Sequence, residues 1–251
     1  MALENPLAGP LYLLRGFGLI FKPGLRPFVA VPLLLNTLLF AGLVWYGVTE
    51  MEALGTWVDA QVPSWLGWLH WLLWPLFVIG VVLILFYTFT LVANVIGAPF
   101  NGLLAEKVEY LLTGRSLEQG GTWKDVLKGA LPAMLVALRK ALRGLLWAIP
   151  FLVLFVIPVV NVLAPFLWLA YSAWMLAAEY LDYPMDNHGV AYREQLKLRR
   201  GRFFTSLGFG GATLVATLIP VVNFLVMPAA VAGAAALWVD KYAAQIGRAH
   251  V

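Results

Sequence analysis

The sequence predicts an all-α integral membrane protein. It reads as two long transmembrane helices, two Pro/Asn-broken helical hairpins that enter the membrane part-way, and amphipathic cytoplasmic helices. Three observations predict this. Of 251 residues, 62% are hydrophobic and 12% charged, against about 25% charged in an ordinary soluble domain. The apolar residues gather into four long uncharged runs, at 27–49, 60–105, 144–178 and 203–239. The charges between the runs are sorted by sign. No soluble core of this size needs so much apolar surface, and residues 1–251 read as a single membrane domain.

The topology follows from the charges. Arg15, Lys22 and Arg26 precede the first run. Glu50, Glu52 and Asp59 lie between the first and second, with no Lys or Arg among them. Lys107, Arg115, Lys124, Lys128, Arg139, Lys140 and Arg143 precede the third. Arg193, Lys197, Arg199, Arg200 and Arg202 precede the fourth, and Lys241 and Arg248 follow it. Basic residues accumulate on the cytoplasmic side, so only the acidic 50–59 loop is outside and both termini are cytoplasmic. One spanning helix, at 28–48, leads out and another, at 71–97, leads back. The third and fourth runs each start and end on the same side. Glu4 and Arg15 come before any long apolar run, so no cleaved leader is read.

Taken in order, residues 11–24, LYLLRGFGLIFKPG, read as an amphipathic interfacial helix ended by Pro-Gly. Trp65, Trp68, Trp71 and Trp74 recur every third residue beside the outer loop, an aromatic belt rather than a ligand cage. After the second run, Pro99-Phe100-Asn101-Gly102 reads as a break, with Asn101 as the N-cap of a new helix and Gly102 permitting a sharp turn. Residues 101–143 read as cytoplasmic helices with a loop at TGRSLEQGGT.

The third run breaks at IPVVNVLAP (157–165) and the fourth at IPVVNFLVMP (219–228), near-copies 62 positions apart. This is an internal repeat. The arms on either side are about 13–17 residues, or ~20–25 Å long, short of a ~30 Å hydrocarbon core. Re-entrant hairpins at 144–178 and 203–239 follow. Full spanning by paired short helices, giving six segments, is the alternative.

The chemistry is sparse. There is no Gly-rich Lys-Ser/Thr phosphate loop, no HExxH and no GxSxG, and the chain has three His and no Cys. The net charge of +4 is too small to argue for nucleic acid. No enzyme activity, cofactor or metal is expected. Asp182, Asp186, Asn187 and His188 have metal-ligating chemistry, but turn residues at a membrane exit account for them equally well. His70, among tryptophans, reads as structural. Asn161 and Asn223 sit inside the two breaks. Pro165 and Pro228 read as the first residues of the returning helices. Helix N-termini carry free N–H donors and partial positive charge, so two such ends and Arg26 outline an anion path. The plainer reading is that the hairpins only pack and the asparagines cap them. Glu106, Lys107 and Glu109 read either as a salt-bridged gate or as a solvated face.

The segments NxxxAPFNGLLAEKVE (94–109), PGLRPFVxVPLLLN (23–36), SAWMLAxEYLDYPMDNH (172–188) and the two Ile-Pro…Asn…Pro breaks, in this order over roughly residues 8–242, resemble the CysZ family of bacterial sulfate permeases. The resemblance implies an inner-membrane protein that lets sulfate into the cytoplasm for cysteine synthesis, without an ATPase partner and as a homo-oligomer in the lipid bilayer. Sulfite is a competing ligand on the same grounds. The family's sulfate site is a Gly-Leu/Ile-Arg-Arg turn. Here it corresponds to Gly24, Leu25 and Arg26, with Pro27 where many members carry a second Arg. The resemblance also places Asn36, Asn101, Glu106, Lys107 and Glu109 on the pathway. Carboxylates repel sulfate, so Glu106 and Glu109 are expected to be neutralised by Lys107 or by a residue such as Arg139 or Lys140. The alternative function is a non-transporting membrane scaffold that holds a cytoplasmic sulfate-assimilation partner.

Overall fold

The computed structural model describes residues 5, 7–61, 70–115 and 123–243, so Trp65 and Trp68 lie outside the described residues. Every regular element among them is helical. In chain order these are α1 (Ala8–Ile20), α2 (Arg26–Thr49), α3 (Met51–Gln61), α4 (His70–Thr113), α5 (Trp123–Leu154), a 3-10 turn (Val160–Val162), α6 (Ala164–Asn187), α7 (Tyr192–Gly201), α8 (Phe203–Thr217), α9 (Pro220–Leu237) and a closing π-helical turn (Trp238–Tyr242). Among the described residues three stretches are long and apolar enough to cross a membrane: Arg26–Thr49, Trp71–Phe89 and Pro220–Tyr242. The chain forms two compact units, residues 30–100 and residues 1–29 with 101–251.

In the unit of residues 30–100, Phe40 meets Phe89 edge-on at 5.3 Å and Gly47 faces the Leu85 side chain, so the two long helices are antiparallel. Gly55 of α3 lies against the Trp74 indole. The outward surface is apolar, with Trp45 74% and Trp71 73% exposed. Exposed apolar area on this scale is unfavourable in water at roughly 25 cal/mol per Å². It suits a helix whose solvent is lipid.

In the other unit, α9 is apolar all round and buried all round over residues 229–238, as such a helix must be. Its small residues let neighbouring backbones approach closely. Gly16 of α1 abuts the Ala229 carbonyl, and Gly233 abuts the Tyr12 carbonyl. Gly9 abuts Thr205 and Phe209 of α8, and Gly210 of α8 abuts the Ala173 carbonyl of α6. The core is therefore α1, α6, α8 and α9. α1 buries Leu13, Leu19 and Ile20 in it and leaves Leu11, Leu14 and the following Phe21 exposed. It is apolar on both sides and is a core helix rather than a purely interfacial one.

Several boundaries differ from the sequence-based expectation. α4 continues through Pro99 and Gly102 to Thr113, so Asn101 is not an N-cap. One Pro removes one backbone hydrogen bond, and the inward stripe of Asn101, Leu104, Ala105 and Val108 is buried, which holds the helix together past it. α5 runs unbroken across residue 144. The two breaks fold differently. Ile157, Pro158 and Val159 form an irregular turn with Val159 at φ +70°, whereas Pro220 opens α9 directly after Ile219. Pro165 is the second residue of α6, one position after its start at Ala164. Pro228 lies inside α9, and Pro220 takes the place expected for it. Asn161 and Asn223 are exposed and cap neither helix. The returning stretch Pro220–Tyr242 has 23 residues, longer than the short arm expected.

Candidate functional site

The turn between α1 and α2 is built by a short run of local bonds. The Lys22 N–H donates to the Leu19 carbonyl, Leu25 to Lys22 and Phe28 to Leu25. Gly24 adopts φ +89° with open space around it, so glycine serves the backbone angle here and not a close contact. Leu25 is 2% exposed and anchors the turn. Arg26, exposed, is the first residue of α2, and its Nε donates to the Phe21 carbonyl at 2.7 Å. That bond sets the plane of the guanidinium and leaves both Nη groups without a partner among the described residues. The backbone N–H groups of Gly24 and Arg26 likewise make no hydrogen bond there. The turn thus presents a planar fork and two N–H donors at the positive end of a helix, a donor set that suits a tetrahedral oxyanion.

The segment 101–109 of α4 is the second cluster. Asn101 Nδ2 donates to the Tyr183 hydroxyl at 3.1 Å, and Asn187 Nδ2 donates to the Gly102 carbonyl at 2.9 Å. His188 Nε2 lies 2.8 and 2.9 Å from the two Glu109 carboxylate oxygens. A carboxylate only accepts, so Nε2 carries the proton. The His188 ring also lies 4.9 Å from that of buried Trp238. Glu109 is therefore partnered by His188, and by no lysine or arginine among the described residues. Lys107 is exposed over the Tyr110 ring, 5.8 Å from its centroid. Glu106 has no ion pair among the described residues.

Lys140 is engaged elsewhere. Its Nζ lies 3.0 Å from Asp182 and 3.0 Å from Asp186. Asp182 also takes a hydrogen bond from Arg199, whose side chain is 2% exposed, and Asp186 takes one from Gln195 at 2.7 Å. Two residues four apart on α6 thus face two residues four apart on α7, with Lys140 of α5 bridging the acids. Burial pushes the Asp182 carboxyl up, and Arg199 and Lys140 oppose it. All four residues weighed above as metal ligands have protein partners. The i, i+4 spacing on both helices was a readable signal for this ladder. The tie of Tyr12 and Arg15 to Asp240, at 3.0 and 2.6 Å, carried none, since its members lie more than 220 positions apart. Asn36 belongs to the unit of residues 30–100, and its Oδ1 is buried without a hydrogen bond among the described residues.

The family model described as sulfate transporter CysZ/etoposide-induced protein 2.4 matches residues 12–228. The chain belongs to this family. It is 46% identical over 238 residues to the sulfate transporter CysZ of Pseudomonas paraeruginosa, covering 94% of this chain and 96% of that one. It is 44% identical over 242 residues to that of Pseudomonas fluorescens (strain Pf0-1), covering 95% and 96%. The CysZ protein of Pseudomonas syringae pv. tomato is 44% identical over 238 residues, covering 94% and 93%. The match to the CysZ family takes in both the 24–26 turn and the 101–109 segment. The family and these relatives are named as transporters and not as enzymes.

Proposed function

We propose that this chain is a permease that imports sulfate across the bacterial inner membrane for assimilation into cysteine. The observation that carries this reading is the near-full-length relation to proteins named sulfate transporter CysZ. The turn at Gly24, Leu25 and Arg26 fits such a role chemically. Sulfate is a dianion that only accepts hydrogen bonds. The Arg26 fork and the two backbone N–H groups replace part of its hydration shell, while the N-terminus of α2 supplies partial positive charge. Pro27 stands where a second arginine would add charge; it holds the first turn of α2 in helical geometry instead. Beyond the turn, Asn36, Asn101, Glu106, Lys107 and Glu109 contribute the pathway, and the His188 N–H satisfies the Glu109 carboxylate. The helix–turn–helix tips carry exposed Val156, Val159, Val221 and Phe224 and enter the bilayer part-way. Both termini are cytoplasmic, and copies of the chain assemble. Sulfite, a smaller pyramidal sulfur oxyanion whose three oxygens likewise accept hydrogen bonds, competes for the turn.

The test is labelled-sulfate uptake into liposomes that contain only this protein. Saturable uptake that chloride does not block, and that falls in Arg26→Ala, is expected. Uptake no greater than in empty liposomes, from protein shown to be folded, would overturn the proposal in favour of a membrane scaffold.

A further inference from the structure

α7 connects α6 to α8, and its two faces are chemically opposite. Gln195, Leu198 and Arg199 are buried. Arg193, Lys197 and Arg200 are exposed, at i, i+4 and i+7, and so form one stripe along the opposite side. Glu194 is the one exposed acid on α7, 3.1 Å from Lys197. Arg193 and Arg200 have no ion pair among the described residues. Arg143 of α5 adds a fourth cation, stacked 5.0 Å over the ring of Tyr192 at the start of α7.

The stripe is held at a fixed level. The bonds from Arg199 to Asp182 and from Gln195 to Asp186 clamp α7 to the polar end of α6. Directly after α7 the surface turns apolar. Phe203 is 43% and Phe204 57% exposed, and farther along α8 Val215 is 60% exposed. The boundary between charged and apolar surface therefore falls within three residues of Arg200. A bilayer that covers the apolar side brings its phosphate layer to that boundary, beside three cations and one acid.

We propose that the exposed stripe of Arg193, Lys197 and Arg200 is a docking surface for anionic phospholipid headgroups. A zwitterionic headgroup leaves the excess positive charge unmatched, whereas an anionic one matches it, and each basic residue near such a surface adds to the attraction.

The test uses the full chain in detergent micelles. Phosphatidylglycerol or phosphatidylcholine is added and retained lipid is counted by native mass spectrometry. The wild type is expected to retain phosphatidylglycerol in preference to phosphatidylcholine, less so at high salt. The Arg193→Gln/Lys197→Gln/Arg200→Gln variant is expected to lose affinity by roughly fivefold for each charge removed. Arg115→Gln, which removes an exposed cation outside α7, should retain it. Single variants at Arg193 and Arg200 decide the matter should the triple variant not fold. Equal retention of the two lipids, or unchanged retention in the variants, overturns the proposal. Displacement of the lipid by millimolar inorganic phosphate overturns it in favour of a free-phosphate site. Binding of an acidic peptide at the stripe without any preference for phosphatidylglycerol overturns it in favour of a protein partner.

Discussion

Arg26 and Gly24 do different work within one turn. Arg26 offers a planar fork aimed by its own Nε bond to Phe21. Lysine keeps the charge but loses both the fork and the aiming bond. Arg26→Lys is therefore expected to raise the sulfate concentration for half-maximal uptake by about tenfold, the scale of one lost charged hydrogen bond. Gly24→Ala meets no atom but must hold φ +89°. It is expected to cost about 1–2 kcal/mol through the backbone, seen as a lower melting temperature in detergent. The ion pairs divide by burial. Arg199 is almost fully buried, and replacing it with Met strands Asp182 with Lys140 alone. A loss of about 3–5 kcal/mol is expected, larger than for the half-exposed pair of Arg15 and Asp240, where at most ~1 kcal/mol is at stake.

At the scale of elements, close helix crossings carry the core. A Cβ on Gly210 would collide with the Ala173 carbonyl, whereas one on Gly18 would meet nothing. Gly210→Ala should therefore destabilise strongly, and Gly18→Ala should be neutral or gain up to ~1 kcal/mol from helix propensity. Thermal unfolding of the two variants side by side checks this, and equal effects would show that the crossing is not tight. The repeat supplies a second comparison. Val159 sits at φ +70°, an unfavourable angle for a β-branched residue, while its counterpart Val221 is helical. Val159→Gly should gain about 1 kcal/mol. Val221→Gly should lose about 0.5 kcal/mol.

At the scale of the molecule, α1 is tied to the turn that follows α9. Tyr12 donates to Asp240 at 3.0 Å. Burial, with Asp240 adding to it, pushes its hydroxyl from 10.0 up to about 12. The folded state then holds a proton that the unfolded state releases first, so stability falls as pH rises from about 10 to about 12. Tyr12→Phe should flatten that alkaline decline in a melting-temperature profile. An unchanged slope would mean that other groups cause it.

Composition and charge order alone determined the all-helical membrane class and the two long helices, because lipid admits only backbone that bonds to itself and sorts flanking charges by side. The 24–26 turn and the 101–109 segment could be singled out as candidates through the family resemblance, since each is a short contiguous pattern. Their partners could not. Glu109 finds His188, Asn101 finds Tyr183 and Lys140 finds two aspartates, and such choices depend on which helix faces pack together. The identical IPVVN stretches make the point most directly. One is a strained exposed turn and the other opens a helix. The five residues are the same, so local propensity cannot separate them. What differs is the chain that follows. The small residues after Pro228 pack α9 against α1 at Gly16 and Gly233, and the helix they anchor begins at Pro220, whereas α6 after the first copy begins only at Ala164. Only the tertiary structure decides such cases, because contacts distant in sequence outweigh a few tenths of a kcal/mol of local preference.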